Sequence, residues 1–350
     1  MNVKIILSFA ASIIKFFIFY LFFLNVYADG VNKKYNHNEK GILSLMYHRF
    51  DENKYPSTNI RMDIFKNHIE IIKSNDFKFY NPKNFEEEFE IPKLKKKILL
   101  TIDDGFSSFY KNAWPYLKKN KIPFILFIST EAVGKYGYMK WDEIKEIEKE
   151  EFVFLGNHSH SHEYLVGYNF NDFKNDIDKS IKIFEDNIGY NPIFFSYPFG
   201  EYSLKQKVYI EKKFKFAFGQ HSGVIDLNKD KYELPRFPIN EQYGDITRFE
   251  SLVKYLPLQY NYIIPEDKLI NSSDNPPEMS IVFFDDQNNL DKISCYSNEG
   301  DGWNKTNIKL KNNKLNIFFR DKFKERRGRI NCSLRDVEGW RWLGAQFSIN

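Results

Sequence analysis

The sequence predicts an α/β fold: a distorted or incomplete TIM-like (β/α) barrel, followed by a small all-β, sandwich-like domain. Three observations carry this reading. Apolar runs of strand length alternate with helical stretches from about residue 41 to 255, the pattern of a parallel sheet covered by helices. Polar and special residues fall just after the strands, at Asp103–Gly105, His158–His162, Pro198–Gly200 and His221, where such barrels build their sites. Beyond about residue 257 short β-like runs follow one another with no good helix between them.

The elements follow in order. The first thirty residues carry Lys4, a dense apolar stretch "FFIFYLFFL" and the small residues Val26 and Ala28 before a polar stretch. That resembles a secretory signal peptide over 1–28, so an exported protein, periplasmic or extracellular, is expected. Lys15 interrupts the apolar run; an uncleaved membrane anchor is the other reading of this segment. A barrel domain is expected over 29–256. "GILSLMYH" reads as a buried strand ending at His48, and a helix follows around 61–75. "KKILLTIDDGF" is an apolar run that stops at two aspartates and a glycine. "SSFYKNAWPYLKKNK" has helical spacing, "IPFILFIST" is a buried strand and "WDEIKEIEKE" a short charged helix. "EFVFLGNH" is a strand that runs into a histidine cluster. "NDFKNDIDKSIKIFEDNIG" opens with capping residues and closes on Gly189, as an amphipathic helix does. "IFFSYPFG" and "KFKFAFG" are further strands, and a weaker helical signal covers 245–255. Residues 257–278, rich in Pro, Asn and Ser, read as a linker, and 279–350 as the β domain.

Composition narrows the function. Against 51 basic stand 47 acidic residues, a net charge of +4, so a nucleic-acid partner is not expected. A monomer is expected. Cys295 and Cys332 are the two cysteines of the chain; in an exported protein they are expected to form a disulfide.

The chemistry concentrates in two motifs. In "TIDDGF" a strand delivers Asp103 and Asp104 to its end, and Gly105 permits the turn. Neighbours on a strand face opposite ways, so both carboxylates converge on one site only where the strand ends. Asp and Gly are also common turn formers, so an exposed turn is the plainer reading. The second motif, "HSHSH", holds three of the seven histidines within five positions. Zinc takes imidazole nitrogen and carboxylate oxygen, and a catalytic zinc keeps a position open for water. Two histidines and one carboxylate form a facial set. Were 158–162 extended, His158, His160 and His162 would face one side; in a helical turn His158 and His162 would share a face and His160 would point away.

These motifs make the chain resemble the polysaccharide deacetylases with NodB homology, carbohydrate esterase family 4. The family's first motif, T-F-D-D-G, stands here as "TIDDG" and its second, H-[ST]-x-x-H, as "HSHSH". The likeness covers roughly residues 40–250. "LMYHRF", with His48 at the end of the first strand, resembles the branch that includes exopolysaccharide (poly-N-acetylglucosamine) deacetylases. The resemblance implies that Asp103 is the catalytic base and that Asp104, His158 and His162 bind a divalent metal, zinc above all. His160 takes a variable position. The third motif is R-x-P-Y-G in the family; here Ser196 stands where the arginine would be, before Tyr197, Pro198, Phe199 and Gly200. Arg236, in "ELPRFPIN", is expected to substitute for it. The resemblance places an oxyanion donor at the backbone N–H of Phe199 and a general acid at His221, in "FGQHSG". His48 is a candidate pocket residue.

The implied activity is removal of acetyl groups, most often N-acetyl, from a polysaccharide or cell-envelope glycan. Two other readings compete. A barrel glycoside hydrolase would use Asp103 with a second carboxylate and no metal, which leaves the histidines without a role. A catalytically inactive glycan-binding protein would use Trp303, Trp340 and Trp342 to stack on sugars; the plainer reading of these three is core.

Overall fold

The structure, a computed structural model, describes residues 40–75, 77–90 and 96–350. The expected signal segment lies outside the described residues. Among them no helix is long and apolar enough to cross a membrane.

The α/β part is built on six main strands: β1 (Ile42–Tyr47), β2 (Lys97–Ile102), β3 (Phe124–Ile128), β4 (Val153–Asn157), β5 (Phe194–Ser196) and β6 (Phe216–Phe218). They lie side by side in this order and all run parallel. Beyond β1, β7 (Val224–Ile225) pairs with it antiparallel and β8 (Phe237–Pro238) parallel, which curls the sheet back towards its start. The result is an incomplete barrel. Its strands are apolar on both faces, as a sheet covered by helices requires: Leu43, Leu45, Leu100 and Leu126 enter one core cluster, and Ile42, Leu99 and Ile125 another.

The helices are α1 (Met62–Ser74), α2 (Phe85–Glu90), α3 (Trp114–Asn120), α4 (Trp141–Glu148), α5 (Phe170–Ile188), α6 (Leu204–Glu211) and α7 (Ile246–Leu252). α5 shows how the sequence sets their limits. Asn169 caps it by accepting from the N–H groups of Asn171 and Asp172, and Gly189 ends it at φ 93°. It buries Phe173, Ile177 and Phe184, spaced as one helical face. α1 and α7 meet at His68, which is fully buried, stacks on Phe249 at 3.8 Å and reaches the Gly244 carbonyl at 2.8 Å.

The C-terminal part is a two-layer β structure. Its strands are β9 (Leu256–Pro257), β10 (Tyr262–Ile264), β11 (Leu269–Ile270), β12 (Met279–Val282), β13 (Ser294–Asn298), β14 (Asn304–Lys305), β15 (Asn307–Lys311), β16 (Lys314–Phe318), β17 (Arg327–Arg335) and β18 (Trp340–Ile349). One sheet runs β9-β18-β17-β13-β14, with β11 also on β18; the other runs β10-β12-β16-β15. Their inner faces share a core that includes Ile281, Ile317, Ile330, Leu334 and Phe347. The Cys295–Cys332 disulfide joins directly opposed residues of β13 and β17.

Two expectations are corrected here. Residues 257–278 are not a free linker: they supply β10, β11 and the end of β9, each paired into the β sheets. Pro, Asn and Ser limit strand length, yet two- and three-residue strands still pair. The three tryptophans also differ. Trp342 stacks on Tyr255 at 5.0 Å between the two parts, while Trp303 and Trp340 are exposed.

Burial lowers the His68 pKa from 6.5 to about 4. The folded protein therefore holds this group neutral while the unfolded chain protonates it below about 6.5. The stability it contributes is full above that pH and is lost as pH falls towards 4, by about 3 kcal/mol. Urea unfolding of the wild type at pH 7 and pH 4.5 should show a larger loss than the same pair of measurements on His68→Asn.

Candidate metal and catalytic site

His48, Asp103, Asp104 and the histidine loop follow the C-terminal ends of strands, while Arg236 stands just before β8. After β2 the chain turns at once, with Asp104 at φ 72° and Gly105 at φ 72°. Asp tolerates the left-handed region better than most residues, and the turn lets both carboxylates face one cleft. After β4 come Ser159 at φ 67° and His162 at φ 55°, so 158–162 is neither extended nor helical. Asp176 of α5 holds this loop by accepting from the N–H groups of His160 and Ser161, at 2.8 and 3.0 Å. The Asn157 carboxamide oxygen accepts from the Ser159 N–H, and the Ser159 hydroxyl accepts from the His162 N–H.

This loop brings Asp104, His158 and His162 together. His158 Nε2 lies 3.4 Å from Asp104 Oδ1, His162 Nε2 lies 3.2 Å from it, and the two imidazole nitrogens are 3.2 Å apart. A tetrahedral ion with bonds of about 2.0–2.1 Å places its ligands about 3.3 Å apart, so the triangle has the size of a metal face. The donor chemistry agrees. His158 Nδ1 lies 2.7 Å from the Ser196 carbonyl and donates its proton there, which leaves a bare lone pair on Nε2. That lone pair, the His162 imidazole and the buried Asp104 oxygen converge on one point, an arrangement that a cation between them satisfies. The residues present therefore fit a divalent ion. His160 stands apart: its Nδ1 is 2.9 Å from the Thr130 hydroxyl.

Asp103 is fully buried. Arg236, also fully buried, binds it through both oxygens, at 2.7 and 2.9 Å. The guanidinium also donates to Thr101 Oγ1, Ser196 Oγ and the Gly219 carbonyl. All five of its N–H groups are thereby used. Burial alone would raise the Asp103 pKa, but Arg236, with His158 and His48, more than offsets this and holds it below the usual carboxylate range.

His48 follows β1 and lines the cleft beside Asp104 and His162. Burial lowers its pKa, and the negative charges of Asp104 and Asp103 push it back up. His221 lines the same cleft, but the charges that act on it are those of Glu233, Lys268 and Arg236. Sequence reasoning gave His48 only a lining role; its place one residue past a central strand, like Asp103, was the available signal.

The turn after β5 divides its residues. Tyr197 is not a cleft residue: its ring stacks on Tyr202 at 4.4 Å inside the core, because its side chain faces away from the cleft. Pro198 is buried too. Phe199, at φ 58°, lines the cleft and meets His162 edge-on at 4.9 Å. Gly200 sits at φ 69°, and a Cβ there would lie 2.4 Å from the Gln220 nitrogen, so the close approach of the two loops needs glycine. Strands β17 and β18 close the other side of the cleft, whose volume is about 700 Å³.

Comparison with known proteins adds three findings. Residues 90–218 match the family model described as polysaccharide deacetylase. A poly-beta-1,6-N-acetyl-D-glucosamine N-deacetylase of Staphylococcus aureus is 27% identical over 257 residues, 65% of this chain and 86% of that protein. Among solved structures, IcaB from Ammonifex degensii covers 61% of this chain and 97% of its own, at 22% identity and a TM-score of 0.55. The Streptococcus pyogenes deacetylase PplD covers 60% and 96%, at 20% identity and a TM-score of 0.55. These two structures share the curled sheet.

Two outcomes are expected. Metal analysis after dialysis should find a stoichiometric divalent ion in the wild type, in Asp103→Asn and in His160→Ala, and none in Asp104→Asn or His158→Ala. Arg236→Ala should cost about 3–5 kcal/mol in urea unfolding, because it leaves a buried carboxylate unpaired; Arg236→Lys should recover only part, since an ammonium lacks the two-pronged geometry.

Proposed function

We propose that the chain, whose residues 90–218 match the polysaccharide deacetylase family model, is a metal-dependent hydrolase removing N-acetyl groups from an N-acetylglucosamine-containing glycan. The observation that carries this reading is the pairing of a metal-sized Asp104–His158–His162 triangle with a separate carboxylate, Asp103, held ionised beside it. The relatives' named activity supports the choice of nitrogen over oxygen as the acyl-bearing atom. Zinc suits the two-imidazole, one-carboxylate donor set.

When bound, a divalent ion lowers the pKa of water from about 15.7 towards ~7 and polarises a carbonyl. The residues do the rest. Asp103 accepts the proton of the attacking water; each of its oxygens keeps a lone pair beyond the one Arg236 occupies. Arg236 fixes the plane of that carboxylate and keeps it charged. The Phe199 backbone N–H is the donor assigned to the developing oxyanion, a contribution of about 3–4 kcal/mol in comparable sites. His48, facing both carboxylates, is assigned the proton that goes to the leaving amine; His221 faces a different set of charges and is assigned no step.

A glycoside hydrolase would need two carboxylates flanking the scissile bond, and here the carboxylate next to Asp103, that of Asp104, is gathered with two imidazoles into a metal-sized triangle. Export is supported by the disulfide, which persists in oxidising compartments. The reading requires a single acetylated glycan and no nucleic acid, membrane or second chain.

Acetate release from acetylated glycans tests it. The wild type should release acetate from a β-1,6-linked N-acetylglucosamine oligomer, and a chelator should abolish this until zinc is returned. His48→Ala should lower kcat by about 10²-fold or more, the worth of general acid help, and His221→Ala by much less. Undiminished acetate release in the chelated enzyme would sink the assignment.

A further inference from the structure

One strand face of the β region is turned into the catalytic cleft. Along β17 the side chains alternate: Ile330, Cys332 and Leu334 enter the sandwich core, while Arg327, Arg329, Asn331 and Ser333 project the other way. All four of the latter line the cleft that holds Asp104 and His162. From 327 to 333 the row is about 20 Å long at ~3.4 Å per residue. Its near end lies at the catalytic turn, with the Arg327 guanidinium 6.0 Å from the Phe199 ring centroid. Tyr296 stands opposite Asn331 on the neighbouring strand β13, on the same face. Trp303, from the loop that follows, lines the same wall. Both aromatic rings are large and solvent-facing, at 45% and 39% exposure.

From this row we propose that the β region is the second half of the substrate site: a track that binds the sugar units flanking the one being deacetylated. The inference rests on the deacetylase reading. The family match ends at residue 218 and assigns the wall nothing.

The chemistry of the wall specifies its ligand. Sugar rings offer apolar C–H faces, which stack on Tyr296 and Trp303. They also offer hydroxyl and acyl oxygens, which accept from Arg, Asn and Ser side chains spaced along the strand. The charge is one-sided. Arg248, Arg327 and Arg329 line the cleft, and Asp104, one of the metal-site residues, is the single carboxylate among the described lining residues. A free amino sugar carries an ammonium, which Arg248 and Arg329 repel; an N-acetylated unit carries none. The track therefore selects a run of several acetylated units over a monomer and over a chain already deacetylated.

The wall is also fixed in place. Gln346 of β18 donates to the carbonyls of Phe199 and Gly200, at 3.0 and 3.3 Å, while its own oxygen accepts from Arg329 at 3.0 Å. Arg326 and Arg327 pair with the buried Glu201 at 3.1 and 3.3 Å. These contacts tie the track to the turn at Phe199.

The test compares substrate lengths on the full chain loaded with zinc. Probes are an aryl acetate and β-1,6-linked N-acetylglucosamine oligomers from dimer to hexamer. In the wild type KM should fall by about tenfold or more from dimer to hexamer, and Trp303→Ala and Asn331→Ala should each remove most of that gain. Both variants should keep the wild-type urea midpoint and metal content, which shows that they are folded. A fully deacetylated hexamer should compete more weakly than an acetylated one of equal length. A KM that does not change with length, or a Trp303→Ala enzyme equal to wild type on the hexamer, overturns the track while leaving the deacetylase reading standing. Aryl acetate turnover with no acetate released from any oligomer overturns both.

Discussion

The buried ion pair between Asp103 and Arg236 is the constraint on which the rest of the site depends. Neither group can be buried alone; an unpaired charge in a dry interior costs several kcal/mol. Together they are satisfied because the guanidinium finds five acceptor atoms in three parts of the chain: Thr101 and Asp103 at β2, Ser196 at β5 and the Gly219 carbonyl after β6. One side chain therefore ties together the strand ends around the curled sheet. It also explains Ser196. An arginine there would meet the guanidinium of Arg236, whereas a hydroxyl accepts from it. The cation on Asp103 comes from position 236, across the cavity from Ser196, which contributes its hydroxyl instead.

The metal triangle is organised around the same centre. The Ser196 backbone carbonyl accepts from His158 Nδ1 while its hydroxyl accepts from Arg236. One residue thus sets the tautomer of a ligand and the position of the base-orienting cation. Around it, Asp104, Ser159, His162 and Phe199 all adopt left-handed backbone. Such residues cost of order 1–3 kcal/mol each and persist where surrounding structure over-determines them. Here the supports are visible: Asp176 and Asn157 hold the histidine loop, and Gln346 holds the turn at Phe199.

Much of this was legible in the sequence, for a physical reason. Strands and helices are local, so apolar runs and the Gly189 stop mark β1 to β6 and α5 without reference to anything distant, although the cap is Asn169, two residues before the polar pair the sequence pointed to. "DDG" and "HSHSH" are local too. The fate of His160 was not readable, because two left-handed residues break both the helical and the extended periodicity on which facing arguments rest. Tyr197 shows the same limit: its motif neighbours Phe199 and Gly200 bend around the cleft while its own ring enters the core. Residues 257–278 had the composition of a linker, and only pairing with β12 and β18, strands up to some eighty residues away, makes them part of a sheet. The partnership of Asp103 with Arg236 spans 133 residues; a missing arginine in one motif was the hint that another had to supply it.

The junction between the two parts turns on how closely they approach. A Cβ at Gly344 of β18 would lie 2.2 Å from the Ser222 carbonyl oxygen, so the strand backbone rests against the loop that follows β6. At that distance there is no layer of water between them, and the polar groups brought together must satisfy one another. Gln346 does so through the Phe199 and Gly200 carbonyls and Arg329, and Glu201 is ion-paired with Arg326 and Arg327. A wall that merely covered the barrel could have been apolar. This one is polar where it touches the oxyanion turn, and polar and aromatic where it faces the cleft, so its sequence answers to the turn on one side and to the ligand on the other. The same two arginines, Arg327 and Arg329, serve both, which couples the geometry of the catalytic turn to whatever occupies the wall.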